Sequence, residues 1–169
     1  MRYSNIIYND NANGDGGMRI SFFCQGCHFH CEGCFNPNTH DFSNGKEFNN
    51  HVLEDMIYVI KLYEGSYVGL NILGGEPFDN LKVIQKVITE FKKHFPNKDI
   101  WLWSGYTWEE LIKDEQKINI LKNIDILIDG RFEIAKKDLK LKYRGSSNQR
   151  VIDVQESLKE NKLILSKYN

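Results

Sequence analysis

Residues 19 to 34 of the chain have the sequence RISFFCQGCHFHCEGC, which joins a short apolar stretch to a group of cysteines. Residues 19–23 are typical of a β-strand, and they lead directly into the cysteine loop. All the cysteines of the chain lie on this loop, at Cys24, Cys27, Cys31 and Cys34. Because a disulfide framework would distribute its bridges across the fold, this grouping instead predicts a metal or cluster site.

The segments that follow alternate between strand and helix patterns. The predicted strands are residues 19–23, 67–73, 99–103 and 124–128, with weaker candidates at 151–154 and 163–165. The predicted helices are residues 50–64 and 81–95, the second capped by Asp79 or Asn80, and a third that a Thr107–Glu110 capping box opens.

This alternation predicts an α/β fold with a mainly parallel sheet, in one domain that spans residues 1–169. A closed eight-unit barrel typically needs about 250 residues, so a partial, open β/α barrel or a small doubly wound sheet remains. Polar motifs follow four of the strands: Cys24–Cys34, Gly74–Glu76, Ser104 and Asp129. The carboxyl ends of parallel strands share one edge, where ligands bind, so we expect these motifs to form one site.

Composition excludes several classes of protein. Lys plus Arg total 22 against 23 for Asp plus Glu, a formal net charge of -1 that provides no basic surface for nucleic acid. No apolar run approaches the roughly 20 residues of a membrane span, and the N-terminus lacks a signal-peptide pattern. We therefore expect a soluble cytoplasmic protein that binds neither nucleic acid nor membrane.

The spacing of the cysteines is C-x2-C-x3-C-x2-C. It fits neither a zinc ribbon, whose cysteine pairs lie further apart, nor the bacterial ferredoxin run. The triplet Cys27, Cys31 and Cys34 can instead bind three irons of a [4Fe-4S] cluster and leave the fourth iron without a protein ligand. The alternative is a closed zinc or iron–sulfur site that uses all four cysteines. In the first interpretation Cys24 is a buried apolar side chain.

The CxxxCxxC triplet, followed later by Gly74-Gly75-Glu76-Pro77, resembles the radical S-adenosylmethionine superfamily. That resemblance implies that S-adenosylmethionine chelates the open iron and is cleaved by the reduced cluster to methionine and a 5′-deoxyadenosyl radical. It also implies that the Gly74–Glu76 segment binds the methionine amino group. No catalytic side chain beyond the cluster and the cofactor is expected.

Other residues are similar to cofactor contacts of the superfamily. Ser104 would face the sugar or methionine portion, Asp129 would contact the cofactor, and Arg131 would pair with a carboxylate. Since Gly33 occupies the position where many members have an aromatic residue, Phe35 or another aromatic would pack on the adenine.

Further segments resemble a narrower family, the anaerobic ribonucleoside-triphosphate reductase-activating proteins. They are Asn13-Gly14, Arg19, Gly26–Asn36, Trp101–Tyr106, Asp129–Phe132 and Arg144–Gln149. This resemblance implies that the chain generates a glycyl radical on the large subunit of the reductase, with an external electron donor such as a flavodoxin. Activation of a different glycyl-radical enzyme, small-molecule radical chemistry, or a structural zinc or iron–sulfur module are the alternatives.

Overall fold

The computed structural model describes residues 1–169 as a mixed α/β fold of seven strands and five helices. The strands are β1 (Arg2–Asp10), β2 (Met18–Cys24), β3 (Lys46–Glu47), β4 (Tyr67–Gly74), β5 (Asp99–Trp103), β6 (Ile126–Asp129) and β7 (Arg150–Asp153). The helices are α1 (Asn50–Leu62), α2 (Leu81–His94), α3 (Trp108–Leu111), α4 (Glu115–Leu121) and α5 (Val154–Glu160). Single 3-10 turns lie at Pro37–Thr39, Pro77–Asp79 and Ile134–Lys136.

All seven strands form one sheet in the order β3-β1-β2-β4-β5-β6-β7. The central strands β2, β4, β5 and β6 are parallel to one another, whereas β1 and β3 on one side and β7 on the other pair antiparallel. The sheet is open, with β3 and β7 at its edges, so it is not a closed barrel. This confirms the predicted α/β class and the parallel arrangement of the strands that precede the polar motifs.

The parallel strands alternate between two buried faces. Side chains such as Ile20, Leu70 and Ile100 join α1 and α2 in the main hydrophobic core. On the opposite face, Trp101 and Ile128 belong to a smaller apolar cluster. Burial on both faces explains why these strands are nearly continuously apolar in sequence.

A buried arginine lies on the face opposite the helices. Arg19 in β2 is fully buried, and its guanidinium donates to Asn71 Oδ1 at 2.7 Å and to Asp99 Oδ1 at 2.6 Å. Asn71 in turn donates to the carbonyl oxygen of Asn13 at 2.6 Å. A buried charge requires partners, and Asn71 and Asp99 supply them. Through Asn71 the same contacts hold the glycine-rich loop that precedes β2 against the sheet.

The sequence prediction was wrong about the N-terminus. Residues 19–23 form the second strand, since β1 precedes them and pairs antiparallel with β2. Much of β1 is half-buried or exposed, so its apolar alternation in the sequence is weak. Of the two predicted caps of α2, Asn80 occupies the N-cap position, although its side chain makes no capping hydrogen bond. The Thr107–Glu110 capping box is confirmed.

No helix of the structure combines the length and the apolar character that a membrane crossing requires.

Candidate active site

One pocket lies where β2, β4 and β5 end. Eight of the predicted site residues line it: Cys27, Cys31, Cys34, Phe35, Gly74, Gly75, Glu76 and Ser104. The pocket is completed by Phe29, Asn36, His40, Leu73, Trp103, Gly105, Gly130, Phe132 and Gln149. Residues from four separate loops therefore meet at the carboxyl edge of the parallel strands, as the sequence predicted.

The cysteine loop is held in place by its backbone. The amide of Gly26 donates to the carbonyl oxygen of Thr39 at 2.8 Å, and that of Cys27 donates to His40 at 3.1 Å. The thiols of Cys27, Cys31 and Cys34 stay partly exposed, and none is in a disulfide. Cys24 is fully buried in the hydrophobic core and does not line the pocket.

Burial raises the pKa of three thiols of the cysteine loop. It raises the pKa of Cys27 to about 11, and it also raises the pKa of Cys31 and of Cys24. The metal-free thiols of Cys27 and Cys31 are consequently protonated at neutral pH, and a metal must displace their protons when it binds.

The pocket fits an iron–sulfur cluster in its donor chemistry. Three free thiols on one loop line it, and thiolates are the usual protein ligands of such clusters. His40, one of the residues that line the pocket, also has a buried polar atom without a partner in the chain, its Nε2. No three His, Cys, Asp or Glu side chains of the chain converge on a position for a single metal ion.

The Gly74–Glu76 segment is bonded directly to the cysteine loop. Gly75 donates its amide to the carbonyl oxygen of Cys24 at 2.9 Å, and Glu76 donates to that of Gly26 at 2.8 Å. A Cβ atom on Gly75 would lie 2.4 Å from the Gly26 oxygen, so only glycine allows this approach. The carbonyl oxygen of Gly75 accepts no hydrogen bond within the chain, which leaves an acceptor available at the pocket.

Glu76 connects this segment to the loop that follows β5. Its Oε1 accepts from the Phe78 amide at 3.0 Å and from the Ser104 hydroxyl at 2.8 Å, while Oε2 accepts from the Gly105 amide at 2.7 Å. The side chain is almost completely buried. Burial raises the pKa of Glu76 to about 7, although the three hydrogen bonds oppose that rise.

Comparison with known proteins agrees with this geometry. A family model described as a 4Fe-4S single cluster domain matches residues 12–152. The anaerobic ribonucleoside-triphosphate reductase-activating protein of Pasteurella multocida is 37% identical over 151 residues, which cover 88% of this chain and 95% of the relative. The proteins of the same name from Enterobacteria phage T4 and Escherichia coli K12 are 36% and 33% identical, over 89% and 88% of this chain and 93% and 96% of their own lengths.

The chain belongs to the family of anaerobic ribonucleoside-triphosphate reductase-activating proteins. The resemblance inferred from the sequence motifs is thereby confirmed. The [4Fe-4S] cluster predicted from the cysteine spacing is the cofactor that the family model describes.

The sequence prediction missed Asp79, which supports the loops around the pocket. Its Oδ2 accepts from the backbone amide of His28 at 3.0 Å and contacts the His28 ring at 2.9 Å, and its Oδ1 accepts from the Tyr106 hydroxyl at 2.8 Å. Asp79 therefore ties the cysteine loop to the loop after β5. Its position before α2 indicated only a cap, since both partners are distant in sequence.

Two predicted cofactor contacts do not line the pocket. Asp129 is fully buried and accepts from the Trp108 amide at 2.7 Å and from Arg150 Nε at 2.9 Å. The guanidinium of Arg131 lies over the ring of Phe29, 4.4 Å from its centroid. Asp129 is buried and Arg131 is exposed, and neither lines the pocket. Direct contact of Asp129 and Arg131 with a cofactor stays a prediction.

Two aromatic rings border the pocket beside the cysteines. Phe35 is exposed, and its ring lies 5.0 Å from that of Phe132. Phe29 packs edge-on against Tyr106 at 4.7 Å. Phe35 is the more exposed of these two rings, and its role in stacking on the adenine stays a prediction.

Proposed function

We propose that the chain is an activase that cleaves S-adenosylmethionine reductively and generates a glycyl radical on the anaerobic ribonucleoside-triphosphate reductase. The observation that carries this proposal is the meeting of three free thiols and the Gly74–Glu76 segment in one pocket from which Cys24 is excluded. The names of the relatives supply the reductase as the partner.

The ligand set follows from the same pocket. Cys27, Cys31 and Cys34 would hold three irons, which leaves one iron for the amino and carboxylate groups of S-adenosylmethionine. The bound cluster would supply one electron that breaks a carbon–sulfur bond of S-adenosylmethionine, so that a hydrogen atom of the reductase glycine ends on 5′-deoxyadenosine.

The chain's own residues would orient the cofactor. The free carbonyl oxygen of Gly75 would accept from the methionine ammonium group, beside Gly74. Glu76 would add a carboxylate there, and Ser104 would hold that carboxylate in place. Phe35 would stack on the adenine ring, and its exposure supports that role.

We further propose that the open sheet with its helices is a partial β/α barrel of the radical S-adenosylmethionine type, formed as one domain over residues 1–169. Four parallel strands whose carboxyl ends carry the motifs support this assignment. The thiols of the triplet are partly exposed, so a cluster that they hold would lie near the surface, which supports an external electron donor such as a flavodoxin.

The test is anaerobic reconstitution with iron and sulfide, followed by reduction, addition of S-adenosylmethionine and quantification of 5′-deoxyadenosine. We expect product that depends on the reductant and, with the large reductase subunit present, a glycyl-radical doublet in the EPR spectrum. A fully loaded cluster that gives no product with or without the subunit would contradict the proposal. Reduced flavodoxin in place of the chemical reductant tests the donor.

The four cysteines provide matched variants for this assay. Cys27→Ser, Cys31→Ser and Cys34→Ser should each lose the cluster and the activity, whereas Cys24→Ser should retain the cluster because Cys24 lies outside the pocket. Equal loss of iron in all four variants would favour a closed structural site. A doublet on another glycyl-radical protein but not on this reductase would reassign the partner.

A further inference from the structure

His40 is placed beside the cysteine loop by its backbone. It directly follows the 3-10 turn Pro37–Thr39, and its carbonyl oxygen accepts from the Cys27 amide at 3.1 Å. The neighbouring carbonyl of Thr39 accepts from the Gly26 amide at 2.8 Å. Two hydrogen bonds therefore hold this segment alongside the first cysteine of the triplet, and His40 lines the pocket together with all three thiols.

The ring of His40 carries an unsatisfied polar atom. Its Nε2 is buried and has no hydrogen-bond partner in the chain. The ring of His30 packs edge-on against it, with the centroids 4.6 Å apart. Only two other buried side-chain atoms of the molecule, Arg144 Nε and Asn148 Oδ1, lack a partner. Buried polar groups are nearly always hydrogen-bonded, and leaving one unpaired is costly, so Nε2 has the capacity for a partner that the polypeptide does not supply.

We propose that His40 donates its Nε2–H to a sulfur of the [4Fe-4S] cluster held by Cys27, Cys31 and Cys34, and thereby raises the reduction potential of the cluster. The inference rests on the ligand set of the proposed function. A hydrogen bond to a cluster sulfur stabilises the additional negative charge of the reduced state. His40 is thus a positioning and tuning residue, and it is not a ligand of the iron.

The test compares His40→Phe, which keeps a ring but removes the donor, with His40→Gln, which restores an N–H. His51→Phe is the control, because His51 is exposed on α1 and lies outside the pocket. Each protein is reconstituted anaerobically, its iron and sulfide are quantified, and its midpoint potential is measured by EPR-monitored redox titration without S-adenosylmethionine. We expect a more negative potential in His40→Phe, recovery in His40→Gln and no shift in His51→Phe.

A second measurement does not depend on the variants loading a cluster. Pulsed EPR of the reduced wild-type protein, labelled with ¹⁵N-histidine, should show a weak nitrogen coupling. An unchanged potential in fully loaded His40→Phe, or the absence of any nitrogen coupling in the wild type, would overturn the proposal. A strong coupling would show direct iron ligation and would overturn it too.

These readouts are independent of the radical reaction. If the potential shifts but no 5′-deoxyadenosine forms, the proposed function fails while the role of His40 stands.

Discussion

The hydroxyl of Ser104 donates to Glu76 Oε1 at 2.8 Å and joins the loops that follow two neighbouring parallel strands, β4 and β5. Both side chains are buried. The same hydroxyl oxygen accepts from the Tyr106 amide at 3.0 Å. One serine thus supports a carboxylate on one side and a backbone turn on the other, and the shape of the pocket depends on both contacts.

Replacing Ser104 with alanine should destabilise the protein. The Ser104→Ala variant leaves the Tyr106 amide without its acceptor and removes a donor from a buried carboxylate, which typically costs about 1 to 3 kcal/mol. Urea unfolding of the metal-free protein under anaerobic conditions measures this loss. Ser66→Ala is the control, since Ser66 is exposed and should change stability by less than about 0.5 kcal/mol. Equal effects of the two changes would contradict the role assigned to Ser104.

Gly75→Ala should disrupt the contact between the cysteine loop and the segment after β4. The added Cβ would approach the Gly26 carbonyl oxygen to 2.4 Å, so the backbone must separate and the two hydrogen bonds between these segments must weaken. We expect a lower yield of bound iron on reconstitution and a lower unfolding midpoint. Gly65→Ala is the matched control because nothing lies within 4 Å of its Cβ position. If the Gly75→Ala variant binds as much iron as Gly65→Ala and unfolds at the same midpoint, the close approach of residue 75 to the Gly26 carbonyl oxygen is not needed for iron binding or for stability.

Glu76 should make stability dependent on pH. Burial raises the pKa of its carboxyl from 4.5 to about 7, so the folded protein retains a proton that the unfolded chain releases. The stabilisation is fully present below about pH 4.5 and is lost as pH rises through 7. A shift of this size corresponds to about 3 kcal/mol. Urea unfolding of metal-free protein between pH 5 and pH 8 measures the slope.

The matching variants are Glu76→Gln, which should flatten that slope, and Glu160→Gln, which changes an exposed side chain at the end of α5 and should not. A slope that persists unchanged in Glu76→Gln would assign the pH dependence to another group.

Arg150 should stabilise the fold more through its ion pair with Asp129 than through its ion pair with Glu109. It pairs with the buried carboxylate of Asp129 and with the exposed carboxylate of Glu109. Arg150→Met leaves Asp129 buried and unpaired, which typically costs about 3 to 5 kcal/mol. Glu109→Gln removes only a solvent-exposed pair and should cost less than about 1 kcal/mol. Thermal unfolding of both variants makes the comparison, and similar losses would refute the distinction.

Local sequence was sufficient to predict those parts of the site in which a motif directly follows a buried strand. The cysteine spacing after β2 and the Gly74–Glu76 segment after β4 are contiguous patterns. Parallel strands place their carboxyl ends at one edge, so the meeting of these motifs could be predicted. The edge strand β1 escaped prediction because its partial burial leaves little alternation to detect.

Other parts of the site depend on partners that are remote in the chain. Asp79 looks like a cap of α2, yet it binds His28 and Tyr106. The side-chain amide of Asn80, the N-cap residue of α2, donates to the Gly26 carbonyl oxygen at 3.1 Å. Asp129 is a predicted cofactor contact, and its side chain accepts a hydrogen bond from Arg150 on the adjacent antiparallel strand β7, which sequence analysis did not foresee. Such partners are selected by strand order and loop packing, which no local pattern encodes.

The sequence by itself determined the position of the cysteine loop, the α/β class and the edge of the sheet that carries the pocket, because each follows from residue spacing and strand periodicity. Only the tertiary structure decided which polar side chains face the pocket and which are used to hold it together. It placed Cys24 in the core, paired Asp129 with Arg150 and left His40 Nε2 unpartnered beside the thiols. Burial and hydrogen-bond satisfaction depend on the three-dimensional surroundings of each group, so they are settled only when the chain is packed.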